Sequence, residues 1–174
     1  DILVRKAERY GFDKTACNWL RSFTTGRKQA VRIGQATSKT LELQCGVPQG
    51  SPISCVLFLI YIQDITNWVN DGELQGYADD TLHFISAKEP DEVLIRLEQQ
   101  AKLIFSFFAS YELVANPSKT AFLMFRPTKQ YQTHFSFSIN VDGTSIEESE
   151  SERVLGVQVQ NDLKWDSHIK KVIA

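Results

Sequence analysis

Between residues 91 and 111 apolar side chains recur at Val93, Leu94, Leu97, Ala101, Ile104, Phe108 and Tyr111. That spacing predicts one face of a helix laid against a sheet, with Pro90 at its start. A shorter helix is predicted over 13–24, with Ala16, Trp19, Leu20 and Phe23 on one face, Asp13 near its start and Gly26 ending it. Residues 52–69 are apolar all round, which predicts a helix buried on more than one side, and Asp71-Gly72 closes it. Residues 27–33 and 40–45 read as a hairpin around residues 34–38, and residues 73–87 as a second hairpin. Strands are expected over 121–126, 135–141 and 153–159, with a turn at Asp142-Gly143. Helices on one face of an antiparallel sheet make an α+β domain.

Composition narrows this only a little. With 174 residues and 43% hydrophobic content, one domain with a sizeable core is expected. The longest unbroken apolar run is Cys55 to Ile62, far short of a membrane span. Cys17, Cys45 and Cys55 show no metal or disulfide spacing and suit a reduced intracellular compartment. His83, His134 and His168 are scattered. The net charge of −2 is unevenly spread: residues 1–50 hold nine Lys/Arg against four Asp/Glu, residues 51–110 three against nine, and residues 111–174 seven against eight. A basic flank beside an acidic centre fits phosphate contact next to a metal site, and plain solvated surface fits it too. Glu147, Glu148, Glu150 and Glu152 read as a solvated acidic loop.

The acidic centre contains Gly76-Tyr77-Ala78-Asp79-Asp80-Thr81. Adjacent aspartates inside a strand face opposite ways, but at a strand-to-strand turn both can reach one spot. Two carboxylates held together repel, and a cation between them relieves the repulsion; hard oxygen ligands suit Mg²⁺. An ordinary polar hairpin turn has the same composition. Upstream, Gly46-Val47-Pro48-Gln49-Gly50-Ser51-Pro52 forms a loop of fixed shape, with Ser51 as cap and Pro52 at the first helical position of the apolar helix.

A GVPQGSP loop, an apolar helix and a YADD hairpin about 25 residues on resembles the palm of reverse transcriptases, most closely the non-LTR, LINE-type retrotransposon branch. Further segments are similar in the family's order: the basic strand Arg27-Lys28-Gln29-Ala30-Val31, the helix Leu57 to Ile62 ending in Asp64-Ile65, the segment Asn116-Pro117-Ser118-Lys119-Thr120, and Val154-Leu155-Gly156-Val157 followed by Leu163-Lys164-Trp165 and His168-Ile169. Cys55 stands where relatives commonly have proline, and Phe107-Phe108 replace a usual tryptophan.

The resemblance implies a partial right-hand fold: a palm-like antiparallel sheet packed against helices, residues 1–158 covering the end of the fingers and the palm, and 159–174 beginning the thumb. It implies an RNA-directed DNA polymerase working on an RNA template, a DNA primer and dNTPs, with two Mg²⁺ ions (Mn²⁺ as a substitute). No membrane is involved, and cytoplasm and nucleus are the expected locations. Asp79 and Asp80 would hold metal, and Lys119 would steady the leaving pyrophosphate. Gln49, Gly50 and Ser51 would line the nucleotide, Tyr77 would pack beneath the hairpin or beside the primer end, and Arg27, Lys28 and Arg32 would touch phosphates. Lys170 and Lys171 would reach the duplex if a thumb helix continues. For Lys119 and the basic residues a plain solvated surface is the competing account.

The family's third catalytic aspartate and its sugar-screening residue belong to a strand just before the Asp-Ile-Leu that opens this sequence; Asp1 matches the position after that motif. The chain also lacks an initial Met and has only Met124. It is therefore expected to be a fragment that extends primers poorly or not at all alone. The alternative is a reverse-transcriptase-derived binding or interaction domain without catalysis.

Overall fold

The computed structural model describes residues 2–126 and 137–173. Asp1, His134 and the first two residues of the strand expected over 135–141 lie outside the described residues. The chain divides into two compact units, Asp1–Thr66 with Gln75–Leu82, and Asn67–Leu74 with His83–Ala174.

The first unit is built on three helices, α1 (Ile2–Arg9), α2 (Lys14–Thr24) and α3 (Pro52–Ile62). Val4, Ala7, Cys17, Leu20 and Leu57 form its core, with Leu3, Phe23, Val47 and Ile53 packed around them. Asp13 caps α2 as expected, its Oδ1 accepting from the Ala16 amide at 2.7 Å. α1 was not expected. It carries a buried lysine: Lys6 Nζ meets Asp64 Oδ2 at 3.0 Å and donates to the Tyr61 carbonyl, tying α1 to the end of α3 and the 3₁₀ turn Gln63–Asn67. α3 departs from the expectation of burial on several sides. Ser54, Leu57 and Ile62 are buried, while Val56 and Leu59 are about half exposed; a helix apolar all round has no periodicity to say which face is covered.

Residues 28–42 form the expected hairpin as two short ladders, β1 (Lys28–Gln29) with β4 (Leu41–Glu42) and β2 (Arg32–Ile33) with β3 (Ala36–Thr37). Then come β5 (Glu73–Tyr77) and β6 (Asp80–Phe84), which pair as the second expected hairpin.

In the second unit α4 (Pro90–Ser110) lies on the hairpin of β7 (Ser138–Val141) and β8 (Thr144–Glu147). Leu94, Leu97, Ala101 and Phe105 pack on Phe122, Ile139, Val141 and Ile146, and Glu98 accepts the Asn140 amide at 2.9 Å. The predicted stripe thus holds in its first half. Phe107, off that stripe, is the fully buried residue farther along, edge-on to Trp68 and stacked on Tyr111. Asp142 and Gly143 both have positive φ, +51° and +84°, as a two-residue hairpin turn requires. The strand expected over 153–159 is instead a hairpin, β9 (Ser151–Val154) with β10 (Val157–Gln160), turning at Leu155 and Gly156 with φ +48° and +88°. Among the described residues, the strand expected over 121–126 shows one bridge, Phe122 to Glu148. Glu148 is no solvated acid: its carboxylate, 7% exposed, accepts from Arg126 Nη2 at 2.7 and 2.8 Å. Helix α5 (Asp166–Ile173) follows, with Lys171 Nζ on Gln158 Oε1 at 2.6 Å.

The fold is α+β. Among the described residues, however, the strands form five separate two-stranded ladders instead of one continuous sheet. No described helix is long and apolar enough to cross a membrane.

Candidate active site

Two strands of five residues and a loop of two place Asp79 and Asp80 at a hairpin tip: Ala78 and Asp79 are the loop, and Asp80 opens β6. Ala78 has φ +53°. Positive φ at the first loop position matches the right-handed twist of paired strands, and for an L-residue it costs about 1–2 kcal/mol. The strain falls beside the acidic pair, and strained backbone of this kind clusters at functional sites in general. Asp79 and Asp80 are both exposed, and neither side chain has a hydrogen bond or ion pair with any described residue. Their lone pairs are therefore free to meet a cation. Two carboxylates are fewer than a complete cage needs, and no group of three or more His, Cys, Asp or Glu side chains positioned for a metal occurs among the described residues. The pair fits part of an Mg²⁺ site, since that ion takes one or two carboxylates and keeps its other places for water and phosphate oxygens.

Tyr77 is 66% exposed. It does not pack beneath the hairpin, so that half of its expected role is withdrawn.

The Gly46–Pro52 loop is held from both ends. Arg27 donates through Nη2 to the carbonyls of Cys45 (3.0 Å) and Gly46, and through Nε to Thr24 O at 3.3 Å. At the far end Ser54, buried in α3, donates its hydroxyl to Pro48 O at 2.6 Å. Pro52 opens α3 as expected, but Ser51 occupies the cap position without a capping hydrogen bond. Gly46 and Gly50 both have φ +83°, and a Cβ on either would meet open space. They are glycines for backbone conformation, and they leave bare main chain beside the exposed Gln49. Ser54 was missed because a serine in an apolar helix carries no signal for a carbonyl six residues back.

Lys28 and Arg32 are exposed on β1 and β2, with Arg32 Nε donating to Gly34 O at 3.2 Å. Lys119 is exposed at the end of a 3₁₀ turn whose first amide is capped by Asn116 Oδ1 at 3.0 Å. Asp79, Asp80, Gln49, Gly50, Ser51, Tyr77, Arg27 and Lys28 belong to the first unit, and Lys119 to the second.

Below the tip, the hairpin's outer ends are fixed within the second unit. Arg96 of α4 holds the Asp71 carboxylate with Nε at 2.7 Å and Nη2 at 2.6 Å, and its Nη1 donates to Ser86 O at 3.0 Å. His83 Nε2–H donates to Asp71 O at 2.7 Å. The hydrogen bonds from Arg96 hold the Asp71 carboxyl below the usual carboxylate range, helped by its positive charge and by the Gly72 amide and opposed by partial burial. A depressed carboxylate stabilises the fold above its unfolded value, about 3.9, and that contribution fades as pH falls through the folded value. Asp71→Asn should therefore lower urea stability at pH 7 and flatten its decline on the acid side of pH 4. An unchanged acid limb would show that the pair contributes nothing to the folded state.

This α+β chain presents an acidic hairpin tip and a glycine-bearing loop ahead of an apolar helix. Residues 1–159 match the family described as reverse transcriptase (RNA-dependent DNA polymerase), and the chain belongs to that family. It is also similar to a Drosophila melanogaster protein named "Probable RNA-directed DNA polymerase from transposon BS", 23% identical over 158 residues. That match covers 87% of this chain and 17% of the relative, so the chain spans about one sixth of its length.

Proposed function

We propose that the chain is the palm-bearing segment of the RNA-directed DNA polymerase of a LINE-type retrotransposon. The observation that carries this reading is the exposed Asp79–Asp80 pair, without a hydrogen-bond or ion-pair partner among the described residues, in the unit that also holds the Gly46–Pro52 loop. The transposon polymerase named among its relatives supports it. In the reaction a primer 3′-hydroxyl gives up its proton and its oxygen bonds to the α-phosphorus of a dNTP, while the bond to pyrophosphate breaks. Asp79, with Asp80 and the family's upstream aspartate, would hold divalent metal, whose contribution is to neutralise charge on the attacking and leaving oxygens. Gln49 and the bare backbone at Gly50 would lie against the template base and the nucleotide. Arg27, braced on carbonyls, would set that loop's entrance, leaving Lys28 and Arg32 as the freer phosphate contacts. Lys119 would protonate or steady pyrophosphate. Residues 159–174 would begin the thumb.

Binding to a labelled primer–template should weaken about tenfold or more between about 50 and 200 mM salt, because neutralised phosphates release counterions. Absent or salt-insensitive binding would defeat the proposal. Salt-dependent binding by the full-length polymerase without primer extension in Mg²⁺ would leave a binding module in its place.

A further inference from the structure

We propose that Arg96 is a positioning residue for the Asp79–Asp80 pair, through a guanidinium that bridges the chain segments entering and leaving their hairpin. The inference rests on the polymerase reading above.

The bridge spans the hairpin base. Asp71 precedes β5 by two residues and Ser86 follows β6 by two, and Arg96 bonds both. Arginine suits the task because its planar fork can serve a carboxylate on one edge and a carbonyl on another. Glu92, one turn back on α4, also accepts from Nη1, its Oε1 at 3.3 Å. One turn farther on, Gln100, 4% exposed, exchanges two hydrogen bonds with Asn70: its Oε1 accepts the Asn70 amide at 3.1 Å, and its Nε2 donates to Asn70 Oδ1 at 2.8 Å. Trp68 then meets Phe107 with ring centroids 5.8 Å apart. One face of α4 thus grips residues 68–71, while the face bearing Leu94, Leu97, Ala101 and Phe105 is packed on the β7–β8 hairpin.

The turn at the tip is strained at Ala78, and its acids have no hydrogen bond or ion pair with a described residue. β5 and β6 run as one ladder from the base to the tip, so closing the base helps to fix their separation and twist. A metal-binding pair tolerates little error, and a misplacement of about 1 Å far from the chemistry can cost about 100-fold in rate.

The test uses the full-length polymerase with Arg96→Lys and Arg96→Met. Lysine can keep the charge pairing with Asp71 but lacks the planar fork that serves Asp71 on one edge and Ser86 on another. Under conditions where circular dichroism shows both variants folded, kcat for dNTP addition should fall roughly 10- to 100-fold in both. KM for dNTP should stay within about twofold, the pattern of a lost transition-state interaction. Amide hydrogen exchange at residues 74–82 should quicken about tenfold in Arg96→Lys, even where its thermal stability recovers towards wild type. Wild-type kcat or wild-type exchange in Arg96→Lys overturns the proposal, as does activity that follows the folded fraction alone. If the wild-type enzyme extends no primer, the polymerase reading fails first, and exchange at the hairpin still reports on the bridge.

Discussion

Asp79→Asn in the complete polymerase should reduce primer extension by about 10³-fold or more while leaving primer–template affinity within about twofold. The substitution keeps the shape of the side chain and removes its charge. Asp79 is exposed at the loop and holds no hydrogen bond or ion pair with a described residue, so the fold loses no interaction. Its thermal stability should move by no more than about 0.5 kcal/mol. Template binding should survive because a carboxylate repels phosphate, and removing it can only favour nucleic acid. On the proposed function, what would disappear is a hard anionic ligand for the metal that chemistry on a triphosphate requires. Extension assays beside filter binding separate the two effects. Parallel loss of binding and extension would mean that Asp79 supports the structure, and the two-acid account would fall.

Much of that site could be read from residues because its signals are local. The Gly76–Thr81 hairpin is flanked by strand composition on both sides, and both strands formed where expected. Pro48, Gly50 and Pro52 restrict the backbone whatever surrounds them, so the loop and the start of α3 followed. Most of the failures depend on partners distant in sequence. α1 is marked by Leu3, Val4 and Ala7, which make sense as a helix face only once α2 and α3 cover them. Glu148 among four acids looks solvated until Arg126, 22 residues earlier, is beside it. The helical spacing picks Phe108 for the covered face, yet Phe107 is the buried one, set against Trp68 and Tyr111. The Leu155-Gly156 turn was hidden because leucine seldom adopts φ +48°; the apolar run around it looks like one strand. Arg96 reads from sequence as half of an i,i+4 pair with Glu92, whereas its stronger partner, Asp71, is 25 residues back.

Gly72→Ala should be the most damaging single methyl in the described structure, destabilising the chain by about 2–5 kcal/mol. A Cβ at Gly72 would collide with the Phe84 carbonyl oxygen and lie 2.9 Å from His83 Nε2 and 3.0 Å from Ile85 Cγ1. The nearest of these is backbone at the end of β6, which cannot rotate away as a side chain could. The residue also sits at φ +81°, so alanine adds conformational strain to the collision. Relief requires the start of β5 to separate from the end of β6, and this would pull Asp71 O from His83 Nε2–H and shift the carboxylate held by Arg96. Gly50→Ala is the matched control. Its φ of +83° imposes similar strain, but the added methyl would meet open space, so it should cost only about 1–2 kcal/mol. Urea unfolding of the two variants measures the difference. Equal losses would show that Gly72 is glycine for its φ alone and that the close approach of β5 to β6 at the hairpin base tolerates a side chain.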